Sequence, residues 1–168
     1  GSAIYVKPED IGGIGKREPV KDMARVLSRY VSGIMARTFE HSTVIELAEY
    51  ASVPVINALT DFSHPCQAMA DVLTIQEHCG RIEGIRIAFI GDGNNVARSL
   101  AHACAKLGMK MAVASPAGYA LDAETIQKAN QISAGSVRQT NDPRQAVLDA
   151  DIIYTDTWVS MGQEQEKQ

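Results

Sequence analysis

The sequence lacks the features that mark membranes, nucleic-acid partners and metal centres. No apolar run approaches the roughly 20 residues a membrane-spanning helix needs. The 16 Lys and Arg are outweighed by 20 Asp and Glu, giving a net charge of −4. They are spread along the chain with no basic block, which argues against a nucleic-acid partner. Cysteine is scarce: Cys66, Cys79 and Cys104 have no paired-motif spacing and do not make an even number. Free thiols in a reducing cytoplasm are the simplest reading. Zinc is not expected, since no Cys-x-x-Cys or His-rich cluster exists. The opening residues Gly1-Ser2-Ala3-Ile4-Tyr5-Val6 lack a basic region followed by an apolar core, so no signal peptide is expected. Internal repeats and low-complexity linkers are absent as well.

What is present is an ordinary globular composition, 45% hydrophobic and 21% charged over 168 residues, enough for one generous domain or two small ones. Short β-branched runs alternate with amphipathic helical runs, which points to an α/β fold with parallel strands. In a first series, strands are expected at Ala3–Val6, Gly33–Ala36 and Val53–Leu59. A helix opened by Pro19 carries Val20, Met23, Val26, Leu27 and Tyr30 at helical spacing, and a second helix spans Thr43–Tyr50. Pro65 to about His78 reads as a helix ending near Gly80, where glycine makes a left-handed cap easy.

A second series follows. Strands are expected at Ile85–Ile90, Met111–Ala114, Val137–Gln139 and Asp151–Thr155. Val96, Leu100, Cys104 and Leu107 line one intervening helix, Asp122 caps another that runs through Ile132, and Asp142-Pro143 starts a third by cap-then-proline chemistry. The expected architecture is two Rossmann/flavodoxin-like βα halves, residues 1–63 and 81–168, with residues 64–80 as a bridging helix. The chain opens inside an expected strand and stops soon after its last site-like segment, so a piece of a larger protein is expected.

Four segments could carry chemistry. At His64-Pro65-Cys66-Gln67 a helix begins, and the spacing aims His64 and Gln67 at one point beside a helix N-terminus, which suits a small anionic substrate. An isolated string of this kind is equally consistent with a plain helix cap. Cys66 between them reads as packing, since no base lies beside it in sequence. Arg37 closes a strand, where α/β sheets bind ligands and where a guanidinium can grip a phosphate, though a surface salt bridge would look the same. Gly91-Asp92-Gly93-Asn94-Asn95-Val96 follows a strand and opens a helix. As a dinucleotide fingerprint it falls short, with Val96 at the third glycine position and Ser115 where an acidic residue should meet the ribose, so a nucleotide-binding Rossmann module is a disfavoured reading. Asn95 remains as a polar group at that helix start. Finally, Asp156-Thr157-Trp158-Val159-Ser160-Met161-Gly162 places a carboxylate at a strand end to hold a cation, with Ser160 and nearby backbone to hold an anion.

Phe62 through Asp71, Gly91 through Asn95 and Asp156 through Gly162, in that order, resemble the ornithine carbamoyltransferases of the aspartate/ornithine carbamoyltransferase family. The likeness runs from about residue 3 to residue 164 and includes Ala24-Arg25-Val26-Leu27-Ser28-Arg29-Tyr30. The resemblance implies carbamoyl transfer from carbamoyl phosphate to the side-chain amine of ornithine, giving citrulline and phosphate, with no metal or organic cofactor. By motif, Arg37 and His64 would stabilise the carbonyl oxygen and phosphate, Gln67 would orient the carbamoyl amide, and Asn95, Asp156, Ser160 and Met161 would bind ornithine. The family trimer implies self-association, and apolar faces left bare in a shorter chain point to a dimer.

Departures from the family pattern bear on activity. The family's Ser-Thr-Arg-Thr phosphate clamp and its later His-Cys-Leu-Pro loop are absent, and the Gly12-Gly13-Ile14-Gly15 loop is one residue longer than usual. Charge-assisted hydrogen bonds contribute about 1.5–3 kcal/mol each, so very slow turnover or none is expected of this chain alone. The alternative is a non-catalytic piece that folds as a flavodoxin/Rossmann-like domain and self-associates.

Overall fold

The structure is a computed structural model and describes residues 1–157. The described chain forms two compact units that divide between residues 60 and 61.

The first unit contains α1 (Val20–Leu27), β1 (Ile34–Arg37), α2 (His41–Tyr50) and β2 (Val55–Leu59). β1 and β2 pair in parallel, Ile34 opposite Val55 and Met35 opposite Ile56, with a register shift between Ala36 and Arg37. Val20 and Ala24 of α1, Val44 and Leu47 of α2, and Ala36 of β1 form its core. Two expectations are corrected here. Ala3–Val6 joins no sheet, and Ile4, Tyr5 and Val6 are exposed; a strand needs a neighbour's hydrogen-bond ladder, and among the described residues none lies beside it. In α1 the inward stripe is Val20, Met23 and Ala24, whereas Val26 and Tyr30 are exposed. Val26 sits off that stripe, and the helix ends at Leu27 before Tyr30 is reached.

The second unit begins with α3 (Pro65–Cys79), closed by Gly80 at φ 70°. It continues through β3 (Arg86–Ile90), α4 (Asn95–Lys106), β4 (Lys110–Ala114), α5 (Ala123–Ile132), β5 (Val137–Thr140), α6 (Pro143–Val147) and β6 (Ile152–Thr155). The four strands are parallel, in the order β5-β4-β3-β6. Parallel sheets are covered on both faces, so their central strands read as continuous apolar runs. β3 follows this rule: Ile87 and Phe89 join the core of α3 and α4, while Ala88 meets Ala112, Ala114 and Ala146 on the other face. Small residues on that second face let α6 pack closely. Thus the α/β class, with parallel sheets flanked by helices, holds in both units.

α4 is the central support of the second unit. Ala97, Leu100, Ala101 and Cys104 are fully buried, and burial pushes the Cys104 thiol up to about 12, which keeps it inert. Leu107, expected on this stripe, instead follows the helix as its C-terminal cap. Cys66, expected to pack, is exposed in the first turn of α3. No described helix is long and apolar enough to cross a membrane.

Candidate active site

The second unit's chain steps outward from β3 to β4 to β5 and then returns through α6 to β6, on the opposite side of β3. Strand order therefore reverses between β3 and β6, and open α/β sheets bind ligands in the crevice beyond the carboxyl ends of such a pair. Gly91 follows β3 there, and Asp156 follows β6.

The turn after β3 is shaped by close backbone approach. Gly91 N–H donates to the Ala114 carbonyl and Gly93 N–H to that of Tyr119. A Cβ on Gly93 would lie 2.2 Å from the Leu121 nitrogen, so only glycine fits. The glycine pair thus serves chain packing. The turn delivers Asn94 as the N-cap of α4: its Oδ1 accepts from Val96 N–H at 3.0 Å and Ala97 N–H at 3.1 Å. Its Nδ2 then has a defined direction and donates to Asp156 Oδ2 at 2.7 Å. The carboxylate singled out in the sequence is held in place by the N-terminus of α4.

α3 brings its own first turn to the same helix. The His64 N–H donates to Ser99 Oγ, and Ser99 Oγ donates to the Asn95 carbonyl, both at 2.8 Å. His64 caps α3 by accepting Gln67 N–H on Nδ1 at 3.3 Å. An accepting Nδ1 carries no proton, so in the neutral ring the proton sits on Nε2, which is a donor. The Arg98 guanidinium binds the Phe62 carbonyl and lies 4.3 Å above the Phe62 ring, while Nε and Nη2 hold Asp122. Neighbouring residues of α4 thereby fix the turn that leads to His64.

One turn along α3, Gln67 Nε2 donates to Asp71 Oδ1 at 2.9 Å. Asp71 Oδ2 is buried and makes no hydrogen bond of ordinary geometry, although the Tyr154 hydroxyl faces the same carboxyl. Burial pushes the Asp71 carboxyl above the usual range; Gln67, Tyr154 and His64 oppose the rise, and Asp156 adds to it. Tyr154 is itself pushed upward, first by burial and then by Asp71 and Asp156. Its ring stacks on Phe89, centroids 5.2 Å apart. Asp71 and Tyr154 also belong to the lining of a largely apolar cleft of about 270 Å³ that Ile75, Ile87, Leu100 and Ile152 share.

Of the residues the sequence singled out, His64, Gln67, Asn95 and Asp156 thus lie on this connected set of strand ends and helix starts. Arg37 belongs to the first unit, exposed at the carboxyl end of β1. Ser160 and Met161 lie outside the described residues. Asp71, Asn94, Arg98, Ser99 and Tyr154 were not singled out. Asp71 lies four residues after Gln67 on one helix face, and that spacing was the available signal. Among the described residues, no group of three His, Cys, Asp or Glu side chains could hold a metal ion.

Residues 1–77 match the carbamoyl-P binding domain of aspartate/ornithine carbamoyltransferase, and residues 83–168 match the Asp/Orn binding domain. The chain belongs to the aspartate/ornithine carbamoyltransferase family. An ornithine carbamoyltransferase from Thermococcus kodakarensis is 56% identical over 169 residues, covering 99% of this chain and 53% of that protein. One from Anoxybacillus flavithermus is 53% identical, with 99% and 54% covered. In structure, the ornithine carbamoyltransferase from Pyrococcus furiosus superposes with a TM-score of 0.91 at 52% identity, covering 97% of this chain and 53% of that one. The chain spans about half the length of these carbamoyltransferases.

Proposed function

We propose that this chain supplies carbamoyl phosphate and ornithine recognition for carbamoyl transfer, giving citrulline and phosphate. The observation that carries the reading is the Asn94–Asp156 bond at the β3/β6 switch point, tied through α4 to the His64 turn, in a chain of this family. In the reaction the neutral side-chain amine of ornithine attacks the carbonyl carbon, and charge develops on the carbonyl oxygen. His64, through Nε2–H, and Arg37 are proposed to stabilise that oxygen and the phosphate electrostatically. Gln67 binds the carbamoyl amide. Asp156 and Asn95 bind the amino-acid end of ornithine, with Ser160 and Met161. The C–O bond to phosphate then breaks, phosphate leaves with the electron pair, and the amine nitrogen gives up a proton.

Residues 1–63 are proposed to serve carbamoyl phosphate, residues 81–168 ornithine, and residues 64–80 to bridge them. The proposed setting is the cytoplasm. Self-association is also proposed: Met35 and Ile56, paired across β1 and β2, are 71% and 50% exposed. Light scattering should read above the 18.1 kDa monomer, and a clean monomer refutes it.

The test of function is citrulline formed from both substrates at high protein concentration. Slow accumulation that scales with protein and disappears in His64→Ala supports transfer. Absence of citrulline with intact substrate binding restricts the chain to recognition, and absence of binding overturns the reading.

A further inference from the structure

We propose that Asp71 is a positioning residue that sets the direction of the Gln67 amide, so that the site selects an acyl phosphate carrying an NH2 group over one carrying a methyl. This inference rests on the carbamoyl phosphate reading of the site.

A glutamine side chain is ambiguous until its neighbours orient it: one end accepts and the other donates. Here Nε2 donates to Asp71 Oδ1 at 2.9 Å. An ionised carboxylate only accepts, so turning the amide over would set Oε1 against Asp71 and lose that bond. With Nε2 committed to Asp71, Oε1 faces away from it as an acceptor. An acceptor matches the NH2 of a carbamoyl group and offers nothing to the methyl of acetyl phosphate, which is otherwise similar in shape and charge.

The structure also shows why Asp71 holds its place. It lies one turn beyond Gln67 on α3, where i,i+4 side chains meet. Tyr154, fixed by stacking on Phe89, faces it from β6. An acid kept in a partly buried site with one oxygen lacking an ordinary partner is unfavourable for folding alone. That disadvantage fits a group retained to orient its neighbour.

The experiment is calorimetric titration of this chain with carbamoyl phosphate and with acetyl phosphate, for wild type, Asp71→Leu, Asp71→Asn, Gln67→Ala and the double variant Gln67→Ala/Asp71→Leu. Leucine fills the site but cannot accept. Asparagine can accept and also donate, so it should restore part of the selectivity. The expected loss in Asp71→Leu is about tenfold for carbamoyl phosphate, with acetyl phosphate changed less than about twofold. In the Gln67→Ala background, Asp71→Leu should cause no further loss. Equal weakening of both ligands, or additive losses in the double variant, overturns the proposal.

Binding of neither ligand by the wild-type chain overturns the carbamoyl phosphate reading instead. Orientation is then decided by the side-chain amide resonance of Gln67. It should follow the ionisation of Asp71 in a pH titration and lose that response in Asp71→Leu. The other titratable groups facing Asp71 are Tyr154, Asp156 and His64. A Gln67 resonance indifferent to Asp71 overturns the orientation claim.

Discussion

At the residue scale, two amide side chains make the same use of one functional group, each committing its nitrogen to a carboxylate. Asn94 points its oxygen at the backbone of α4 and its nitrogen at Asp156, while Gln67 spends its nitrogen on Asp71. Sequence alone could not separate Asn94 from Asn95, because both stand in one turn and either could cap. The turn geometry set by Gly93 makes Asn94 the cap and buries Asn95 as the first helical residue. Asp71 provides a pH test. Its folded pKa is raised, so its favourable contribution is complete below the ordinary carboxylate range and is lost as pH rises through the folded value. Asp71→Asn should therefore leave Tm at pH 7 equal to or above wild type, and the difference should vanish as pH falls into the carboxylate range. Thermal denaturation across pH checks this; a lower Tm at pH 7 that persists in acid would make Asp71 a structural residue.

At the element scale, helix starts were legible because cap chemistry is local. His64-Pro65, Asp122 and Asp142-Pro143 each begin a helix with the side chain accepting a backbone N–H. Ala3–Val6 was misread because strand pairing is non-local: β-branched residues state a preference, and only a partner realises it. Asp122 does more than cap α5. Burial opposes its charge, but Thr125 and Arg98 together hold its carboxyl below the usual range. A depressed acid stabilises above its unfolded pKa, and that stability is lost as pH falls through the folded value. Asp122→Ala should cost about 0.5–2 kcal/mol from the cap, read by urea denaturation at pH 7, with the gap to wild type closing in acid. Gly93→Ala forces a Cβ into the Leu121 backbone. The expected penalty is about 1–3 kcal/mol, or very roughly 2–4 °C of Tm per kcal/mol in a chain of this size. Because the same turn aims Asn94, the proposed ornithine binding should weaken as well; unchanged stability and binding would show that the turn has room to relax.

At the scale of the whole molecule, the two units have unequal means of holding together. Among the described residues, the first has a two-stranded sheet and a core of five buried residues, the second a four-stranded sheet with a core of 17. Two paired strands are marginal without helices to cover them. Hydrogen exchange should therefore be at least about tenfold faster for the amides of β1 and β2 than for those of β3 and β4. Equal protection would mean that the whole chain opens cooperatively. The α/β class and family were readable because the motifs are long and ordered; the supporting residues around them were not, since Arg98 and Tyr154 act through contacts distant in sequence. Function here rests on the proposed recognition of carbamoyl phosphate and ornithine by His64, Gln67, Asn95 and Asp156. Its most direct test is an NMR titration of the ¹⁵N-labelled chain with carbamoyl phosphate and then ornithine, to about 10 mM each, which would detect a Kd of ~1 mM. Saturable shifts are predicted at His64 and Gln67 with the first ligand and at Asn95 and Asp156 with the second. Resonances at all four positions that stay unmoved by either ligand would contradict the account.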